Sequence, residues 1–427
     1  MNKLIKKVNQ EVDNKKNDIL KFLSEYVSYQ SVNPTIDNRY SEKECQEWLF
    51  KEIKSWKCFS KYDIWEEEKN RPNILVKLGK NNAKNDLMYF GHTDVVPVEE
   101  ATIDKWTMNP WGGEIKNKRL FGRGSCDMKA GNTAFLWAMK IISELGIEIK
   151  NNIYGSVVIA EESGEYNIGV NSIIKRGYNP AFTICAEPTD MEICNISPGA
   201  YFLKLIVNGK AIHTSQKYKC IFPRDSSPGI DAISKAIKYI EGFNKLDKKW
   251  YKQDNKMMPN GLQNLTPTLM KGGEYIVALP ERCEIIFSGW HNPDNTITEI
   301  RSQLKKTVKE ISDRDTWLRN NPPIIEMPPK ELPVTVPPIK VSSNNKYCTQ
   351  LFNSYKAIIG KKPKFGVFTA ASDLSWLKLL NKIGILFGPG NLADGVHGID
   401  ESVSIQQVVD CCKVYAINII NCQDDKN

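Results

Sequence analysis

Apolar positions along the chain fall into patterns that predict its elements. Near the N-terminus Leu4, Ile5, Val8, Val12, Ile19, Leu23 and Tyr26 recur at mostly three- and four-residue steps, the spacing of an amphipathic helix packed on something larger. Farther along, short apolar runs each end in a polar cluster. Residues 87–90 precede Gly91-His92-Thr93-Asp94, residues 153–160 precede Glu161-Glu162-Ser163, residues 182–186 precede Glu187-Pro188-Thr189, and residues 383–387 precede Gly388-Pro389-Gly390. Runs of that length predict strands buried on both faces. Helical stretches such as residues 132–145 lie between them, so the expected assembly is an α/β unit whose mainly parallel sheet is flanked by helices.

The pattern changes after Ser197-Pro198-Gly199. A strand over 201–209 is followed by a helix over 229–243, strands over 265–270 and 283–287, a helix over 296–311 and an extended segment over 324–327. That order is the ferredoxin-like split βαβ arrangement of an α+β domain. Seven prolines between Pro322 and Pro338 predict a stiff crossing back, after which the α/β pattern resumes. The expected organisation is a discontinuous domain of residues 1–198 and 336–427, with residues 199–335 inserted into it.

Composition narrows the function classes. At 427 residues with 41% hydrophobic and 25% charged residues, the chain can bury a large core in two domains. The net charge of +8 comes from 58 basic and 50 acidic residues spread without a dense basic block, so no nucleic-acid partner is expected. The first twenty residues are broken by charges and no apolar run is long enough to span a bilayer, which predicts no membrane association and a cytoplasmic protein. Eleven scattered cysteines without a Cys-x-x-Cys pair predict reduced thiols rather than a disulfide framework or a cysteine-zinc site.

Open α/β sheets bind ligands where strands end at their carboxyl edges. His92 and Asp94 follow one predicted strand, Glu161 and Glu162 a second and Glu187 a third, while His397 comes ten residues beyond the fourth and Asp127 sits in a glycine-rich turn before a helix. Singly these residues have plain explanations: a loop histidine, a solvated Glu-Glu turn, a helix-capping aspartate. Together they would place two imidazoles and several carboxylates at one edge, where they repel one another unless cations bind.

The motifs 91–97 (GHTDVVP), Trp106-x-x-x-Pro110-Trp111, 122–131 (GRGSCDMKAG), 160–165 (AEESGE), 186–189 (AEPT) and 396–401 (VHGIDE) stand in this order. With them the chain resembles the co-catalytic zinc metallopeptidases that include acetylornithine deacetylase, succinyl-diaminopimelate desuccinylase, aminoacylase and glutamate carboxypeptidase. The resemblance implies that His92, Asp127 and Glu187 hold one divalent ion and Asp127, Glu162 and His397 another, with Asp127 bridging. The expected metal is zinc, with cobalt or manganese also accommodated. It further implies Asp94 as the residue orienting His92, Glu161 as general base, and His213, in residues 209–216 (GKAIHTSQ), reaching from the lid of the other chain in a homodimer formed through the inserted domain.

Glu187 within Glu-Pro-Thr implies deacylation of a small-molecule N-acyl amino acid. The alternatives are a dipeptidase or carboxypeptidase of the same family, and a non-catalytic metal-binding relative, which the complete ligand set disfavours. Three positions depart from the family pattern: Val277 stands where relatives carry Asn, and Trp290 and Ser375 stand where they carry Arg. The usual grip on a substrate α-carboxylate is thereby lost, leaving Arg224 or a lysine as its replacement.

Overall fold

The computed structural model describes residues 2–79, 86–220, 228–253 and 258–423; Arg224 lies outside them. The chain forms two compact units, one of residues 1–195, 340–368 and 372–427 and the other of residues 196–339 with 369–371.

The first unit is built on a nine-stranded sheet. At its centre Ile153–Val158, Leu87–His92, Phe182–Cys185 and Gly384–Leu386 lie side by side and parallel. All four are buried along their length, which explains their unbroken apolar sequences. The flanks correct the expectation of a mainly parallel sheet, because the whole is mixed. Arg71–Leu78 runs antiparallel to Ile153–Val158, Lys61–Glu68 antiparallel to Arg71–Leu78, and Ile193–Ser197 antiparallel to Gly384–Leu386. The reason is connection length: only Lys69 and Asn70 join the two outer strands, whereas a parallel pair needs a crossover of about a dozen residues.

The N-terminal helix is two helices, Asn2–Asn14 and Lys16–Ser28. They part at Lys15, whose φ of −90° and ψ of 3° depart from helical values, yet Val8, Val12, Ile19, Leu23 and Tyr26 are all fully buried. Ala130–Glu144 is buried from Ala130 through Ile142, as befits a helix apolar on every side. Its Gly131 rests on the end of the strand that carries Glu187: a Cβ there would stand 2.0 Å from the Ala186 carbonyl oxygen.

In the second unit the strand order is Asn264–Gly272, Arg282–His291, Gly199–Asn208, Ile324–Glu326, each antiparallel to its neighbour. Helices Ala232–Tyr251 and Ile297–Asp313 pack on this sheet, and Leu203, Leu205, Ile285, Phe287, Tyr239, Phe243, Ile300 and Leu304 form the core between them. The first helix begins later than the sequence pattern suggests because the Asp231 carboxylate caps the amides of Ile233 and Ser234. Thr296 and Glu299 close a reciprocal capping box on the second. Among the described residues no helix is long and apolar enough to cross a membrane, and the eleven cysteines form no disulfide.

Gly131 yields a stability prediction. In an open helix Gly→Ala would stabilise by about 1 kcal/mol, but here the methyl group must push the helix off the sheet, and such overpacking costs roughly 1–3 kcal/mol or more. Gly131→Ala is therefore expected to lower the urea midpoint of unfolding; a midpoint at or above that of the unmodified protein would contradict the close contact.

Candidate metal centre

Asp127 is the residue on which the site converges. The His92 ring leaves the end of its strand fully buried, with Nε2 3.2 Å from Asp127 Oδ1 and 4.0 Å from both Glu161 Oε2 and Glu187 Oε1. From the other side His397 Nε2 lies 3.4 Å from Asp127 Oδ2 and 3.2 Å from the Glu162 carboxylate. The donor atoms of His92, Asp127 and Glu187 all lie within 4.8 Å of one another, and so do those of Asp127, Glu162 and His397. Two groups able to hold a metal ion thus share one carboxylate.

Hydrogen bonds from elsewhere in this unit fix the loops that carry these groups. His92 Nδ1 meets the backbone carbonyl oxygen of Asp94 at 2.9 Å, which assigns the ring proton to Nδ1 and presents Nε2 as a bare donor. The Asp94 carboxylate, 3.7 Å from the ring, has a different partner set: it accepts from Asn33 Nδ2 at 2.8 Å and from the amides of Glu161 and Glu162 at 3.3 and 3.1 Å. Asp94 therefore holds His92 through its main chain and the Glu161-Glu162 turn through its side chain. On the opposite side Glu401 accepts from the amides of Cys126 and Asp127, each at 3.0 Å, and pairs with the buried Arg123, which also donates to the Gly398 carbonyl at 3.0 Å. That pair ties the loop of Asp127 to the loop of His397. Ala160 and His397 both adopt positive φ, 69° and 59°, a costly conformation for non-glycine residues that clusters at functional sites.

The electrostatics show what the cluster lacks. Burial pushes Glu161 and Glu187 well above the usual carboxylate range, and their charged neighbours add to it; burial also raises Glu162. Burial alone would likewise raise Asp127, but hydrogen bonds from His397 and His92 hold it well below its ordinary value. Burial would lower His92, yet the hydrogen bond to Asp127 and the surrounding carboxylates drive it well above an ordinary imidazole. Hydrogen bonds to Asp127 and Glu162 raise His397 to about 10. Left to itself, the centre balances its negative charge with protons on both imidazoles.

His213 is in the second unit, exposed on the segment leading into Thr214–Cys220, where it bridges to Ala278. Val277 and Trp290 are partly buried in the same unit. Ser375 is fully buried in the first, on the short helix Asp373–Leu379. Sequence reasoning passed over Glu401, Arg123 and Asp373. The first two lie inside the quoted motifs and the third beside Ser375, but nothing in a lone glutamate or arginine says which amide it will meet. Asp373 is buried, with neither carboxylate oxygen hydrogen-bonded, and burial raises it to about 8.

The chain matches the model of peptidase family M20/M25/M40 over residues 88–421. It is 27% identical to the N-formyl-4-amino-5-aminomethyl-2-methylpyrimidine deformylase of Bacillus subtilis, with 99% of this chain and 98% of that protein aligned. It is 26% identical to the succinyl-diaminopimelate desuccinylase of Wolinella succinogenes, over 74% of this chain and 79% of the relative. In fold it is similar to the dipeptidase Dug1p from Saccharomyces cerevisiae, with a TM-score of 0.73 at 16% identity over 100% of both chains. A family match spanning most of the chain, the two triads of donors at the strand ends included, places the protein in peptidase family M20/M25/M40 as a hydrolase of amide bonds.

Proposed function

We propose that the protein is a two-metal amidohydrolase that removes a small acyl group from an amine bearing no α-carboxylate. The observation that carries this reading is the shared Asp127, at which the triads of His92 and Glu187 and of Glu162 and His397 meet. Imidazole nitrogen and carboxylate oxygen are donors that suit zinc and accept cobalt or manganese. Cations fit the centre because they would supply the positive charge that its imidazoles otherwise supply as protons. When bound, two such ions lower the pKa of a water and polarise the amide carbonyl.

The chain's own groups supply the rest. Glu161 belongs to neither triad, so its carboxylate is free to take a proton from the attacking water and pass it to the departing nitrogen. Asp94 fixes both His92 and the turn that presents Glu161. At His213 the amide of Ser215 donates to Nδ1 at 3.2 Å. In the neutral ring that leaves Nε2–H as the outward donor, suited to a developing oxyanion. In this reading His213 serves the other chain of a two-fold dimer.

Two observations favour the substrate class. Val277, Trp290 and Ser375 offer no positive charge to a substrate carboxylate. The deformylase aligned over nearly the whole chain acts, by its name, on an N-formyl aminomethylpyrimidine. A formamide of an aminomethyl heteroaromatic is the leading class. Deacylation of an N-acyl amino acid is the second reading, favoured by the desuccinylase relative, while dipeptide cleavage rests on likeness of fold alone.

Metal content separates the roles within the centre. Asp127→Ala is expected to lose both ions together and Glu162→Gln to hold one less tightly. Glu161→Gln should keep both while turnover falls at least about a hundredfold, the usual contribution of a positioned acid-base group. Elemental analysis beside steady-state rates checks this, and two firmly held ions in Asp127→Ala would remove the bridging role.

For His213, inactive His213→Ala and inactive Glu161→Ala proteins are mixed under conditions that exchange subunits. Half of the dimers are then mixed, each with one complete site of two, so about a quarter of the unmodified activity should return. Verified exchange without recovery means that His213 does not act across the dimer.

Substrate class is tested on a panel of N-formyl, N-acetyl and N-succinyl amines and amino acids, together with dipeptides, by release of free amine from the metal-loaded protein. Highest kcat/KM is expected for formamides of uncharged aromatic amines. A panel led by N-acyl amino acids or dipeptides would replace this reading.

A further inference from the structure

Four polar atoms close together in the chain have no hydrogen-bond partner: Ser372 Oγ, both carboxylate oxygens of Asp373 and Ser375 Oγ. The three residues are 1%, 2% and 0% exposed. Folded proteins pair nearly all such groups, because a buried polar atom without a partner is costly and a buried carboxylate more so. The cluster adjoins the metal centre, since the charge of Asp373 acts on Glu161 and Glu187 and is itself influenced by His92. It also contains one of the three departures from the family pattern. Where an arginine is expected near Asp373, Ser375 brings no charge, so the carboxyl group has no cation of its own and would repel a substrate carboxylate.

We propose that Asp373, flanked by Ser372 and Ser375, determines specificity for the amine half of the substrate by pairing with an amidine-like edge, a ring nitrogen beside an exocyclic amino group. This inference rests on the deacylase reading above. A carboxyl group matches such an edge with two parallel hydrogen bonds: one oxygen accepts from the amino N–H, and the other shares a proton with the ring nitrogen, whichever of the two carries it. A 4-aminopyrimidine presents that edge and a benzene ring does not. The two serine hydroxyls supply further donors and acceptors beside it.

The test compares kcat/KM for the formamide of a 4-amino-5-aminomethylpyrimidine with that for N-benzylformamide, in the unmodified protein, Asp373→Ala and Asp373→Asn, with metal content measured throughout. The unmodified protein should prefer the aminopyrimidine strongly, because a site built to hydrogen-bond a substrate group rejects the analogue without it. Asp373→Ala should reduce that preference about ten- to a hundredfold, the worth of a hydrogen bond involving a charged group. Asp373→Asn, which keeps one acceptor and adds one donor, should retain much of the preference. Loss of metal in either variant, an equal fall for both substrates, or equal damage from Ala and Asn would make Asp373 a supporting charge for the metal centre and overturn the proposal. An unchanged preference in Asp373→Ala would mean that water satisfies the cluster, and would overturn it too. If the unmodified protein turns over both formamides equally, the deacylase reading stands and this one fails; if it turns over neither but cleaves N-acyl amino acids, both fail.

Discussion

Several carboxylates gathered in a buried pocket repel one another, and the architecture around the candidate centre is a response to that constraint. Glu161, Glu162, Glu187, Asp127, Asp94 and Asp373 act on one another's charge from the ends of different strands and loops. In a medium of low dielectric such groups stay ionised only if donors or cations surround them. Two imidazoles supply part of that charge. Divalent ions shared through Asp127 would supply more, which makes the centre a binding site before it is a catalytic one.

The protein meets the same constraint by giving each anion that is not a candidate ligand a structural partner. Asp94 accepts two backbone amides and an asparagine. Glu401 accepts two amides and an arginine. Glu165, in the same turn as Glu161, takes hydroxyls from Thr35 and Ser163 and the guanidinium of Arg71, which is itself held by the buried Glu42. Each of these carboxylates converts charge repulsion into loop position, and each joins segments distant in sequence. Asp373 has no such partner, which sets it apart from the rest.

Fixing the loops this way has a cost in backbone freedom. Ala160 and His397 sit in the left-handed region, and Gly131 admits no side chain above the strand end that carries Glu187. These are positions where local preference yields to the geometry of the site, and a packed sheet can hold them because its central strands are buried on both faces.

The sequence by itself determined the repeating pattern of buried strand followed by acidic or histidine-bearing turn, and hence which residues could meet at one sheet edge. It also determined the strand and helix order of the second unit, since periodicity and capping signals such as Thr296 and Glu299 are local. Only the tertiary structure decided what depends on contacts between distant segments. The mixed character of the sheet follows from a two-residue turn after Glu68, in a strand too polar to announce itself. That Asp94 acts on His92 through its carbonyl oxygen, that Glu401 holds the Asp127 loop, and that Asp373 is left unpaired are all matters of which atom faces which across the fold. Residue type restricts a side chain to a class of partners; the packing of the whole chain selects the partner.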